Sequence, residues 1–416
     1  MGDSTSASTS TSTAWSEPRF RRRPSVSSPP AQLPFEQPNV LRLAPGLRTL
    51  RSRGAVHRVR TVEGDEAWLV TGHAWVRRLL DDDRLGRSNP DPEAAAKDSG
   101  SALLASLLGG FATDHARLRA LLEPHFSPER MLALRPYVEK LTRQLLDGLA
   151  ARKPPVDLRQ ELALSLPIQV MCEWLGVPQE DKDRFGGWTQ DAANVGDPAR
   201  SKQGLGQLFG YCRQLVADKR RNPGDDAISR ICATEGIDDN EVLGLTALLL
   251  FGGYETTVAR IGTCVSLLLA DPEQWQALLR DPDLVPGAVE ETLRMSMPNP
   301  HTGGMPRYAL TDFEIDGVTV RTGDFVLLNI IAANHDETAF ADPDRVDVTR
   351  DTTGSLAFGH GAHHCVGAML ARMQLQVVLS QLVARFPTLR LAVGAEELRL
   401  RDSTLIGGLV HLPVTW

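Results

Sequence analysis

The chain has 416 residues, with 45 Lys and Arg against 52 Asp and Glu, a net charge of −7 and 42% hydrophobic residues. That mildly acidic balance offers no general surface for a nucleic-acid backbone. The five cysteines are odd in number, widely spaced and contain no C-x-x-C, which excludes the usual zinc patterns and argues against a disulfide framework; the expectation is an intracellular, cytoplasmic protein with reduced thiols.

Residues 1–30 are rich in Ser and Thr and punctuated by Pro24, Pro29 and Pro30, which reads as a disordered tail. The tail lacks the apolar centre of a secretory signal. No run in the chain approaches the ~18 apolar residues that suggest a membrane span. Residues 31–416 read as one domain, since no stretch within them has a linker's composition. Val56 to Val70 alternates and reads as a small sheet. Helical periodicity dominates from His73 to Arg280, with expected breaks near Pro90, Pro128, Pro154-Pro155, Pro178 and Pro223.

Within that span Asp238 to Glu241 carries a capping signature, an acidic N-cap with Glu three residues on. The spacing predicts one long helix from there to Ala270, where Asp271-Pro272 stops it. Its interior holds Gly252-Gly253-Tyr254-Glu255-Thr256-Thr257. Each mid-helix Gly costs about 1 kcal/mol relative to Ala, so the pair predicts a local widening where a small molecule lies against bare backbone. A short helix near Pro286 carries Glu291 and Arg294 at i, i+3 spacing. Asp312 to Asn329 returns to strands with Asp-Gly and Thr-Gly turn signals, and Leu398 to Trp416 reads as strand and turn.

Phe358 to Gly367 is the most informative stretch. Glycines near Cys365 let other groups approach its sulfur closely. Val366 to Val378 reads as a helix, and a thiolate at a helix N-terminus is stabilised by the unpaired N–H groups and the macrodipole. That suits a soft, anionic axial ligand to iron.

The segment resembles the haem-binding loop of the cytochrome P-450 superfamily, Phe-Gly-x-Gly-x-His-x-Cys-x-Gly, filled here by Phe358, Gly359, Gly361, His363, Cys365 and Gly367. The resemblance implies a mainly α, single-domain fold with a small β portion, a haem b whose iron is held by Cys365, and monooxygenation with O2. Electrons would come ultimately from NAD(P)H through a small ferredoxin and its reductase, docking near Arg117, His360 and Arg372. In the family's oxygen motif Thr256 would hydrogen-bond dioxygen and order a water, Glu255 would relay protons, and Gly252 and Gly253 would open the pocket. Haem propionates would be held by His115, Arg119, Arg307 and His363. Ser355 stands where bacterial relatives often have His. Glu291, Arg294 and Arg350 match the family's buried scaffold network, and Ala333-Asn334-His335-Asp336 replaces the common Ala-Asn-Arg-Asp.

The substrate pocket would draw on Leu249, Gly252, Pro300, His301, Thr302, Gly303, Leu405 and Ile406. The resemblance implies a small-molecule substrate, a natural-product tailoring role, a monomer and no membrane. Other readings are oxidative coupling, epoxidation or desaturation by the same oxidant, a peroxide-driven enzyme, and a haem sensor or electron carrier.

Overall fold

A computed structural model describes residues 29–89, 91, 95–98, 115–296 and 303–416. The expected tail therefore lies almost wholly outside the described residues. So do Pro300, His301 and Thr302 of the expected pocket.

The main sheet has strands β1 (Ala31–Gln32), β2 (Val56–Arg60), β3 (Glu66–Val70), β4 (Leu85–Gly86), β6 (Met305–Ala309) and β9 (Phe325–Leu328). Their order is β1-β2-β3-β9-β6-β4. The β3–β9 pair is parallel, and all four residues of β9 are buried. A period of two explains this: Phe325 and Leu327 face a core with Leu33, Leu47 and Leu69, while Val326 and Leu328 face one with Val56, Val76 and Leu79. β7 (Phe313–Ile315) and β8 (Val318–Val320) form a hairpin. Its turn places Asp316 at φ 50° and Gly317 at φ 74°, as the Asp-Gly signal requires. A third sheet joins β10 (Arg390–Leu391), β11 (Pro413–Thr415) and β5 (Val156–Asp157).

The rest is helical, around one large apolar core. The expected long helix spans Asp239–Leu269, with both halves of the Asp238/Glu241 capping box formed at 2.9 and 3.0 Å. By length and composition alone it could cross a membrane, but 67% of its most apolar window is buried inside the protein. The long helix is α-helical through Gly252 and Gly253, with no π-turn there. The break expected near Pro128 is there, at Ser127, and Pro128 then starts the helix Pro128–Ala150, because a proline at the first turn gives up an N–H that has no partner there anyway. One expectation needs correction: inside the expected helical span, β4 and β5 are two-residue strands. Their partners, Tyr308-Ala309 and Pro413-Val414, lie far away in sequence.

Candidate active site

Cys365 sits in a tight loop before the helix Ala368–Arg385. Its N–H donates to the Phe358 carbonyl at 2.9 Å, and His364 N–H donates to the Gly361 carbonyl at 2.9 Å. Gly359 at φ 76° and Gly361 at φ 68° occupy left-handed backbone that favours glycine. A Cβ on Gly361 would also collide with the Asp81 carboxylate, which accepts from the Ala362 N–H at 3.1 Å. The Phe358 ring lies under the Arg372 guanidinium, 4.5 Å from its centroid.

Cys365 is exposed, whereas the other four cysteines are buried. The helix after it begins at Ala368, not Val366, with Gly367 as its N-cap. Burial pushes the Cys365 thiol up, and only in part do the Gly367 N–H, Arg119 and Arg372 offset this.

The loop is anchored to a buried ionic scaffold. Arg294 and Glu291 are both fully buried and pair at 2.7 and 2.9 Å. Arg350 Nε donates to the same carboxylate at 3.0 Å. Arg294 Nη1 also donates to the Asn334 carbonyl at 2.6 Å. The Asn334 side chain then accepts from Leu356 N–H at 2.8 Å, at the entrance to the Cys365 loop. Asn334 completes the path from scaffold to loop, although the sequence left its motif without a role.

A group of basic side chains converges nearby. His363 Nδ1 and His115 Nε2 are 3.0 Å apart. Burial, with Arg87, His115, Arg307 and Arg119 around it, holds His363 down to about 3. Burial and the arginines Arg87, Arg119 and Arg307 lower His115. Burial first, and then Arg87, pulls Arg307 down to about 10. Arg307 Nη2 and Arg87 Nε are buried and have no hydrogen-bond partner among the described residues. Arg119 is committed differently, to Glu123 at 2.8 Å and to the His364 carbonyl. The two guanidiniums of Arg87 and Arg307 call for an anion, and the two carboxylates of a haem b fit them, with the imidazoles as further hydrogen-bond partners. Arg87 was not legible in the sequence, where it is an ordinary residue after β4. The Ser355 hydroxyl accepts from Ala357 N–H in a local turn.

On the long helix, Thr256 Oγ1 donates to the Gly252 carbonyl at 2.6 Å. Beside Gly252, a Cβ would meet nothing within 4 Å. A Cβ on Gly253 would instead meet the flexible end of Met171, so its lack of a side chain serves helix packing. Glu255 is buried and pairs with Arg401 at 2.8 Å, while its Oε1 has no partner among the described residues. Arg401 comes from the C-terminal segment and was not anticipated.

The remaining expected residues are less open. Leu249 and Leu405 are buried and Ile406 is half-buried. Beside Gly303 the Leu327 and Leu33 side chains would stand 2.6 and 2.8 Å from a Cβ, and its carbonyl accepts from Asn329 at 2.7 Å. Gly303 thus makes a close-packed turn before β6 and opens no space. Of the expected docking cations, Arg117 pairs with Glu241 and Arg372 with Glu290, which offsets their charge. A cavity of about 650 Å³ lined by Arg42, Leu267, Met295, Asp344 and others includes neither Cys365 nor Thr256 and plays no part in this site.

A family model described as Cytochrome P-450 matches residues 213–394. Pentalenolactone synthase of Streptomyces exfoliatus is 40% identical over 92% of this chain and 99% of its own length. Mycinamicin IV hydroxylase/epoxidase of Micromonospora griseorubida is 37% identical over 94% of this chain and all of its own. Among solved structures, the putative thioether synthase SgvP, from the tailoring step of griseoviridin, superposes with a TM-score of 0.86. It shares 33% identity over 94% of this chain and 100% of its own.

Proposed function

The chain belongs to the cytochrome P-450 family and is a haem-thiolate monooxygenase; from that premise we propose that Cys365 is its iron ligand and that it tailors a small natural product. The observation that carries this reading is the single exposed cysteine in a loop with two left-handed glycines. Names of similar proteins support the tailoring role: pentalenolactone synthase, a mycinamicin hydroxylase/epoxidase and nocardicin C N-oxygenase. Enzymes of this bacterial type draw electrons from redox partners, and we assign a small ferredoxin and its reductase to that task.

When bound, haem with an axial thiolate supplies oxygen activation, in which O2, two electrons and two protons convert R–H to R–OH and water. Cys365 would hold the iron as its thiolate. The Gly367 N–H and the nearby arginines Arg119 and Arg372 favour the anion. Arg87, His115, Arg307 and His363 would hold the two propionates. The scaffold from Glu291 through Arg294 and Asn334 fixes the loop that presents the sulfur.

Gly252 leaves room for oxygen beside the helix. The Thr256 hydroxyl proton goes to the Gly252 carbonyl, so its lone pairs can accept from an ordering water. Glu255 supplies protons from the other side of the helix, and its pairing with Arg401 sets when its carboxylate is free to turn. Product mass separates outcomes: hydroxylation or epoxidation adds one oxygen atom, whereas desaturation or ring coupling removes two hydrogens.

The test is the difference spectrum of dithionite-reduced protein with and without carbon monoxide. A strongly red-shifted Soret band is expected. A histidine-like band from freshly prepared, folded protein overturns the assignment of Cys365.

A further inference from the structure

The long helix is buried on nearly every side, with one exception. From Leu245 to Leu269 the only residues not buried are Leu248, Gly252, Gly253, Thr256 and Arg260. Leu248, Gly252, Thr256 and Arg260 follow one another at four-residue steps and so form one stripe along the helix. At Gly252 the stripe is open, since a Cβ there would meet no atom of the described residues within 4 Å. Thr256 and Arg260 therefore lie one turn apart on the same uncovered stripe.

Arg260 is a cation without an anion. No ion pair or side-chain hydrogen bond to it is found among the described residues, where Arg294, Arg350, Arg372 and Arg401 each have a carboxylate. Burial alone lowers its guanidinium, to about 10, and no neighbouring charge contributes. The cations assigned to the propionates all act on one another: Arg87 lowers His115, His363 and Arg307. None of them acts on Arg260, so it stands apart from that cluster. In the assignment above both propionates would be served by that cluster. Holding a half-buried guanidinium without a partner is unfavourable, and an arriving carboxylate would relieve it with paired charge-assisted hydrogen bonds.

We infer that Arg260 is the recognition group for a carboxylate on the substrate, so that the enzyme oxidises an apolar organic acid held at one end by this guanidinium. The inference rests on the monooxygenase reading for the identity of the cavity. It goes further by naming the substrate's chemical class and the residue that selects it.

The experiment uses haem-loaded protein and two matched probe pairs, dodecanoate with dodecanamide and a tricyclic diterpenoid acid with its primary amide. Dissociation constants come from equilibrium dialysis at neutral pH, so the readout does not depend on turnover. Wild type is expected to prefer at least one acid over its amide by about tenfold to a hundredfold. Arg260→Met should erase the preference while leaving amide binding within about threefold, and Arg260→Lys should keep part of it. Without ligand, Arg260→Met should also melt at or above the wild-type temperature, because a half-buried guanidinium with no partner among the described residues has been removed.

The inference is overturned if neither acid binds better than its amide, or if Arg260→Met keeps the preference. It is equally overturned if Arg260→Met melts lower or loses haem, since Arg260 would then serve the fold or a propionate. A carbon monoxide spectrum of each sample is read separately. A histidine-like band there sinks the thiolate reading, while the dialysis result still decides whether Arg260 selects acids.

Discussion

Thr256 shows how one side chain can be set for a task by its own helix. Its hydroxyl hydrogen is committed to the Gly252 carbonyl at 2.6 Å, so in this state it can act only as an acceptor toward the cavity. Thr256→Ala removes that acceptor without disturbing buried packing, since Thr256 lies on the uncovered stripe. The variant should keep its haem but lose coupling, so that a larger share of the NADPH consumed appears as hydrogen peroxide. The measurement is peroxide and product per NADPH, and coupling equal to wild type would remove Thr256 from the proton path. Thr256 and Cys365 were legible because their motifs are local: a few adjacent residues carry both the chemistry and its geometry. Arg401, Arg87 and Arg260 were not. Each is an ordinary arginine in sequence, and its meaning comes from neighbours far along the chain or from the absence of any.

At the scale of elements, two helices carry opposite demands. The Asp239–Leu269 helix keeps two glycines that its propensity disfavours, and the two differ in what surrounds them. Gly252→Ala adds a methyl group to open space, so it should stabilise the protein by up to about 1 kcal/mol through helix propensity. The same methyl group narrows the cavity, so large ligands should bind less tightly. Gly253→Ala must displace Met171 first and should gain less. Thermal melts of both variants check this, and a larger gain at Gly253 would reverse the assignment. On the helix Val285–Met295, Glu291 balances Arg294 and Arg350 at once. Removing it leaves buried cations uncompensated, which typically costs about 3–5 kcal/mol. Glu291→Ala should therefore fail to retain haem, read as a collapsed ratio of Soret to protein absorbance. Stable, haem-loaded Glu291→Ala would refute the scaffold role. The Glu-x-x-Arg pair was visible in sequence only as a spacing. Its link to Cys365 runs through Asn334 and Leu356, a tertiary route that no local pattern encodes.

At the scale of the whole molecule, the sequence pointed clearly to a helical body with a small sheet, because periodicities of 3.6 and 2 survive in the long elements. The two-residue strands β4 and β5 escaped it, since strands that short have no period and exist only through their partners. Another property of the assembled molecule is its response to acid. Burial first, and then Arg230 and Arg130, lowers His125 to about 4. His335 is also lowered to about 4, by burial above all; Arg294 and Arg51 add to this, while the Ile331 carbonyl and Asp344 oppose it. Unfolded, both would titrate near 6.5. Below that pH the unfolded chain binds protons that the folded chain refuses. Stability is therefore complete above about pH 6.5 and falls as pH drops toward about 4. Each histidine contributes a slope approaching ~1.4 kcal/mol per pH unit within that window. The melting temperature of haem-loaded protein should fall from pH 7 to about 4.5. Replacing both histidines (His125→Leu with His335→Gln) should flatten that fall, even if the double variant starts from a lower melting temperature. A slope unchanged in the double variant would mean that the acid response arises from carboxylates, and that these two buried imidazoles stay silent.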